Sequence, residues 1–303
     1  MKKFVALMLA LVMVLALCAC GGNNDPKPTE EAKDYSSMTL DQLKAELKTV
    51  NEGKLTIATS PDFAPYEFYH VDENGNATLV GFDIAFAQYI ADKLGLELEM
   101  VPMDFDGTLA ELGAKKCDLG MAGYSPDPDR ASLMNFSKIY YEGGQCFITS
   151  KANADKIKSL DDANNSQYKI GAQTGSIQSK LAKQNTPDAD NIDLSKVPDV
   201  IAEVISGKLD GAFMETIVAK SYQAQYPEIA IVCDVPYEQK GSAIGVNKDN
   251  EVLLAALNLI IDEAINDGSL QKFVDEAGIL AIGNKYEGLL DDAGKVPAAD
   301  TAA

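Results

Sequence analysis

The chain is 303 residues long, 46% apolar and 24% charged, a soluble globular composition with room for two lobes that each bury a core. Its 46 acidic and 26 basic residues leave a formal charge of −20, which excludes nucleic acid as a partner and adsorption to anionic lipid headgroups. The single histidine, His70, leaves almost no material for a histidine-based catalytic dyad or a zinc cage, so no metal or cofactor is expected.

Met1-Lys2-Lys3 is a short positive segment, and Phe4 to Ala19 is apolar throughout. That run is short for a membrane span and suits a signal peptide over residues 1–19. It ends in Leu17-Cys18-Ala19-Cys20. A large apolar residue three positions before a cysteine, and a small one just before it, resembles a bacterial lipobox. Cys20 is the candidate for lipidation, because Cys18 would place Leu17 at the cleavage position. Cleavage without lipid is the alternative. The expectation is an exported protein, lipid-anchored to the outer face of the cell membrane.

Residues 20–38 are polar and read as a flexible tether. Thr39-Leu40-Asp41-Gln42 reads as a capping box, with Leu40, Leu43, Leu47 and Val50 on one helical stripe. From Lys54, strands and helices alternate. KLTIATS (54–60) predicts a strand, 82–94 a helix stopped by Gly95, LELEMVPM (96–103) a strand, 107–116 a helix and CDLGMAG (117–123) a strand. The pattern resumes with the strand YKIGAQ (168–173), a helix from Thr174, a helix over 198–208, a strand over 209–214, a helix over 215–225 and a strand over 229–235. Residues 250–278 predict helices and 291–303 a disordered tail. This is an α/β pattern with mainly parallel sheets, which binds ligands at the carboxyl ends of its strands.

ELGAKKCDLGMAGYS (111–125) and VISGKLDGAFMET (204–216) echo each other: helix, small residue, lysine, aspartate, short apolar strand, polar end. Two lobes built alike would face one another across a cleft. The extended segments 144–150 and 241–247 are expected to be the strands crossing between them. Cys117, Cys146 and Cys233 lack metal or redox spacing and read as buried thiols.

Of 26 basic residues, only Arg130 is an arginine. Its planar fork can hold a carboxylate through two parallel hydrogen bonds, which lysine cannot do. The bland alternative is an ion pair to Asp127 or Asp129. Gln173-Thr174-Gly175-Ser176-Ile177 lies between a strand and a helix, where free N–H groups can take an anion, or where a helix is simply capped. Glu215 ends a strand and could receive an ammonium, or serve only as a charge at a helix start. Phe63, Tyr66 and Phe105 are placed in loops after strand ends, where they could flank a ligand side chain or merely pack.

SPDFAPYEF, GFDIAFAQYIADKLG, AGYSPDPDRASLMNFSKIYYEGGQ, IGAQTGS and GKLDGAFME, in this order over residues 54–280, resemble the amino-acid-binding proteins (solute-binding family 3) of ABC importers. The resemblance implies a two-lobed type II periplasmic-binding-protein fold, its lobes joined by two hinge strands. Lobe 1 would comprise 39–143 and 241–290, and lobe 2 residues 144–240. By the resemblance, Phe63 and Phe105 flank the ligand side chain with Tyr66 nearby. The Gly123 carbonyl, Ser125 hydroxyl and Glu215 bind the α-ammonium. Arg130 clamps the α-carboxylate, helped by Thr174, the Ser176 hydroxyl and the Ile177 N–H, and Asp83, from the G-F-D motif, can approach the ligand side chain in members that bind cationic amino acids. The family usually carries aspartate where Glu215 stands, often an acid where Ala85 stands, and often aspartate where Ser60 stands. The implied partners are a polar amino acid, the transmembrane subunits of an ABC permease and, through Cys20, the membrane; the implied state is a monomer that is not an enzyme. An enzyme on the same fold, resembling cyclohexadienyl dehydratase, and a sensory ligand-binding protein are the alternatives.

Overall fold

The computed structural model describes residues 34–72, 74–238 and 241–283. The signal peptide, Cys20, most of the tether and the tail lie outside these residues. The chain divides into two compact units, 1–37 and 38–303. The described part of the first holds one 3-10 turn, Tyr35–Ser37. All that follows concerns the second.

Its first element is α1 (Leu40–Glu46), closed by the expected capping box: Thr39 accepts from the Gln42 N–H while the Gln42 side chain accepts from the Thr39 N–H. Leu43 is fully buried. The helix ends before Val50, which is 42% exposed, so the predicted stripe is shorter than its leucines suggested.

The strands are β1 (Lys54–Thr59), β2 (Asp62–Phe63), β3 (Glu67–Val71), β4 (Ala77–Val80), β5 (Glu97–Pro102), β6 (Leu119–Gly120), β7 (Met134–Tyr141), β8 (Gln145–Ser150), β9 (Lys169–Gln173), β10 (Asp190–Leu194), β11 (Gly211–Glu215), β12 (Ile229–Val235) and β13 (Ser242–Asn247). The remaining helices are α2 (Phe82–Leu94), α3 (Phe105–Gly113), α4 (Leu160–Ala163), α5 (Ile177–Asn185), α6 (Val197–Ser206), α7 (Thr216–Gln225), α8 (Glu251–Asn266) and α9 (Ser269–Gly283). In α2, Phe82, Phe86, Ile90 and Leu94 repeat every four residues and are buried as one stripe.

Two five-stranded sheets result, ordered β5-β1-β6-β13-β7 and β10-β9-β11-β8-β12. In each, four strands run the same way and one, β13 in the first sheet and β8 in the second, runs against them. Strands β2, β3 and β4 form a small third sheet that holds His70. The segments expected to cross between lobes are instead internal strands. β8 lies between β11 and β12 of the second sheet, and β13 between β6 and β7 of the first. The chain passes between sheets in the short stretches just before each. Both strands are buried along their whole length, which is why their sequences are apolar without alternation.

The internal echo has a structural cause. β6 and β11 occupy the same third place in their sheets. The Asp118 carboxylate accepts from the Thr56 N–H of β1 at 2.9 Å and from the Val50 N–H at 2.8 Å, while the Asp118 N–H donates to the Thr56 carbonyl. Asp210 repeats this on β9, accepting from the Lys169 N–H at 2.9 Å and donating its own N–H to the Lys169 carbonyl. Each aspartate pins the entry to the third strand against the neighbouring second strand of its sheet, β1 or β9, where a ladder bond alone would leave a donor unmet.

Asp118→Ala should therefore strand two backbone donors and lower the unfolding free energy by about 2 kcal/mol, read from the urea midpoint, with a similar loss in Asp210→Ala.

Candidate functional site

The carboxyl ends of β1, β6, β9 and β11 deliver the polar segments singled out in the sequence. Past β1 the chain turns through β2 into Tyr66, which stacks on Phe63 at 5.3 Å between centroids and on Phe82 at 4.2 Å. Phe63 thus lies on a short strand and Phe105 opens α3, rather than both lying in loops. All three aromatics are buried. Gly81 makes this packing possible. Its φ is +128°, and a Cβ there would lie 2.0 Å from the Tyr66 carbonyl oxygen. Without one, the Phe82 and Asp83 N–H groups reach the Pro65 and Tyr66 carbonyls at 3.0 and 2.9 Å.

Asp83 is fully buried behind this layer. Its Oδ1 accepts from the Tyr140 hydroxyl at 2.6 Å and its Oδ2 from the Gly123 N–H at 3.2 Å. It supports the backbone beneath Phe63, since a Cβ on Gly123 (φ +58°) would lie 2.7 Å from that ring. Burial pushes the Asp83 carboxyl up to about 6. Glu67 is also fully buried, and among the described residues neither of its oxygens has a hydrogen-bond partner; burial first, then the Asp83 and Asp62 charges, hold its pKa well above the ordinary range.

Arg130 ends a 3-10 turn, Pro128–Arg130, whose start is capped by Asp127. The residue is 8% exposed, and its guanidinium lies 5.7 Å from the Phe105 ring centroid and donates through Nη2 to the Gly175 carbonyl at 2.9 Å. Among the described residues neither nearby aspartate pairs with it. Lys180 of α5 holds both, at 3.1 Å from Asp127 and 2.5 Å from Asp129. Burial lowers the arginine's pKa, yet a guanidinium stays charged. Tyr237, which sequence reasoning missed, donates to the Pro126 carbonyl at 3.0 Å and comes near enough to Arg130 to feel its charge.

Ser176 caps α5: its hydroxyl accepts from the Ser179 N–H at 3.2 Å and donates to the Gln173 carbonyl at 2.7 Å. Ile177 is the first helical residue, and Thr174 is half-buried beside it. Ser125 is buried. Glu215 both ends β11 and caps α7. Its Oε2 accepts from the Ile217 and Val218 N–H groups at 2.7 and 3.1 Å, while the buried Oε1 accepts no full hydrogen bond among the described residues, though the Gly144 N–H lies near enough to help lower the carboxyl's pKa. Burial pushes this carboxyl up to about 7 against those bonds, which pull it down. An open cleft of about 580 Å³ is lined by Glu215, Tyr141, Gly143, Thr216, Lys220 and Pro236; of the candidate ligand residues it reaches Glu215 but not Arg130, Ser176, Phe63 or Phe105.

Residues 55–277 match the model of the bacterial extracellular solute-binding proteins, family 3. The chain is a member of that family. The arginine-binding extracellular protein ArtP of Bacillus subtilis is 31% identical over 276 residues, covering 90% of this chain and 96% of that protein. The amino acid ABC transporter substrate-binding protein AbpA of Streptococcus pneumoniae, solved bound to L-arginine, superposes with a TM-score of 0.73 at 32% identity, over 80% of this chain and 100% of that one. Cyclohexadienyl dehydratase of Pseudomonas aeruginosa is more distant, 25% identical over 198 residues, 65% of this chain and 72% of the enzyme. This family 3 member acts outside the cytoplasm as a binding protein, not as an enzyme.

Asp83 and Glu215 have folded-state pKa values raised by burial, to about 6 and about 7. Their stabilising contribution is complete below the unfolded values near 4 and is lost as pH rises through the folded ones. Tm should therefore fall between pH 5 and pH 8, and Glu215→Gln should flatten the part above pH 6, at roughly 2–4 °C per kcal/mol removed. Calorimetric scans across that range check it.

Proposed function

We propose that this chain captures a zwitterionic, polar amino acid between its two sheets and delivers it to the membrane subunits of an ABC permease. The observation that carries the reading is a pair of buried opposite charges with capacity to spare: Arg130, whose side-chain hydrogen bond among the described residues goes to a carbonyl, and Glu215, whose Oε1 accepts no full hydrogen bond among them. Buried charges of this kind are costly unless something completes them. An α-carboxylate completes the first and an α-ammonium the second.

In this assignment Arg130 takes the carboxylate through both arms of its fork, with Thr174, the Ser176 hydroxyl and the Ile177 N–H beside it. Oε1 of Glu215, the Gly123 carbonyl and the Ser125 hydroxyl take the ammonium. Phe63, Phe105 and Tyr66 form the apolar walls. Asp83 serves this site through Gly123, because its carboxylate is turned to Tyr140 and the backbone. Residues 39–143 with 241–290 form one lobe and 144–240 the other, and closing them removes the ligand from water, where charge-assisted hydrogen bonds strengthen. L-Arginine, named for ArtP and AbpA, is the first amino acid to test. Cys20 carries the lipid that keeps the protein near its permease; loss of radiolabelled palmitate incorporation in Cys20→Ser is the expected result.

Titration calorimetry against the twenty common amino acids tests the ligand assignment, and no binding by any of them would overturn it. Arg130→Lys should weaken the ligand by about 2 kcal/mol, roughly 30-fold, because the ammonium cannot replace the bidentate fork. Affinity should also fall as pH drops from 8 to 6. The free Glu215 carboxyl, at about 7, must lose its proton to receive an ammonium, and the dependence should vanish in Glu215→Gln.

A further inference from the structure

Asp62 stands on β2, one residue before Phe63. Its Oδ1 accepts from the Ser60 hydroxyl at 3.1 Å, on its own side of the cleft. Its Oδ2 reaches the second sheet's half, accepting from the Gln173 side chain at 3.1 Å and the Val197 N–H at 3.0 Å. Gln173 is the last residue of β9, and Val197 the first of α6.

α6 begins without a cap of its own. Its N-cap residue is Lys196, which makes no side-chain bond to the helix start, and a lysine ammonium has no acceptor to offer. The first N–H groups of a helix need acceptors from elsewhere. Here one comes from a residue 135 positions earlier in the chain. Gln173 also donates to the Ser195 carbonyl at 3.2 Å, so the end of β9, the entry to α6 and the segment carrying Phe63 are joined around one carboxylate.

We infer that Asp62 is a positioning residue that latches the cleft: it caps α6 only when the two sheets' halves are together, so it favours the closed arrangement before any ligand arrives and fixes Phe63 over the site. This rests on the reading of the cleft as a ligand site that opens and closes. Removing the carboxylate releases the closed form and bares the start of α6, whereas asparagine, itself a good N-cap, keeps an acceptor in the same place.

The test uses the full chain without amino acid, comparing Asp62→Ala and Asp62→Asn with the unsubstituted protein. Amide exchange of Val197 is followed by NMR, and the radius of gyration by small-angle scattering. Asp62→Ala should speed Val197 exchange about fivefold or more and enlarge the radius of gyration, and Asp62→Asn should change neither by comparison. Unchanged Val197 exchange in Asp62→Ala overturns the latch. So does faster exchange at an unchanged radius, which would make Asp62 a local cap only. Should Asp62→Ala lose its native circular dichroism spectrum, Asp62→Ser, too short to reach Val197, replaces it with the same expectations. With no ligand present, a failed calorimetric titration leaves this result standing, and a failed latch leaves the ligand assignment standing.

Discussion

Arg130 and Glu215 bring opposite charges to the carboxyl ends of different sheets, where little water reaches them and no neighbour neutralises either one fully. Much of the surrounding structure keeps them so. Lys180 engages Asp127 and Asp129, which would otherwise be natural partners for the arginine. The start of α7 uses only one oxygen of Glu215, and the side chain is long enough to serve two N–H groups with it. Burial then does the rest, because a charge in a low-dielectric pocket is held in reserve for a complementary group.

Behind the aromatic wall, a second layer gives this arrangement its rigidity. The Gly81 backbone presses on the Tyr66 carbonyl, Asp83 ties Gly123 to Tyr140, and the Tyr66 hydroxyl hydrogen-bonds the Ser242 hydroxyl at 2.8 Å. These contacts join the β2–β3 turn, the end of β6 and the returning strand β13. Site geometry is thus set by residues that a ligand never touches, a common division of labour where orientation matters.

The βα alternation was legible because apolar period and helix stops are local signals, as in the four-residue repeat of α2 and its end at Gly95. The isolation of Arg130 was legible from composition alone. The partners were not. That Lys180 would take Asp127, or that Asp62 would cap a helix far along the chain, depends on which loops the fold brings together, and no periodicity encodes that. Segments 144–150 and 241–247 were correctly read as extended, but an apolar strand does not announce which sheet surrounds it. Asp83 shows the same limit: its position in the G-F-D motif says nothing about which way its carboxylate turns.

The aspartates Asp118 and Asp210 have a consequence for how such a molecule can change over generations. They fasten the third strand of each sheet to the second well back from the strand ends that carry Phe63, Gly123, Ser176 and Glu215. Fold integrity is secured at one edge of each sheet, and chemical selectivity is written at the other. Rim residues can therefore be exchanged, aspartate for glutamate or acid for serine, without loosening the base. A scaffold divided in this way can drift from one solute to another while remaining recognisably itself.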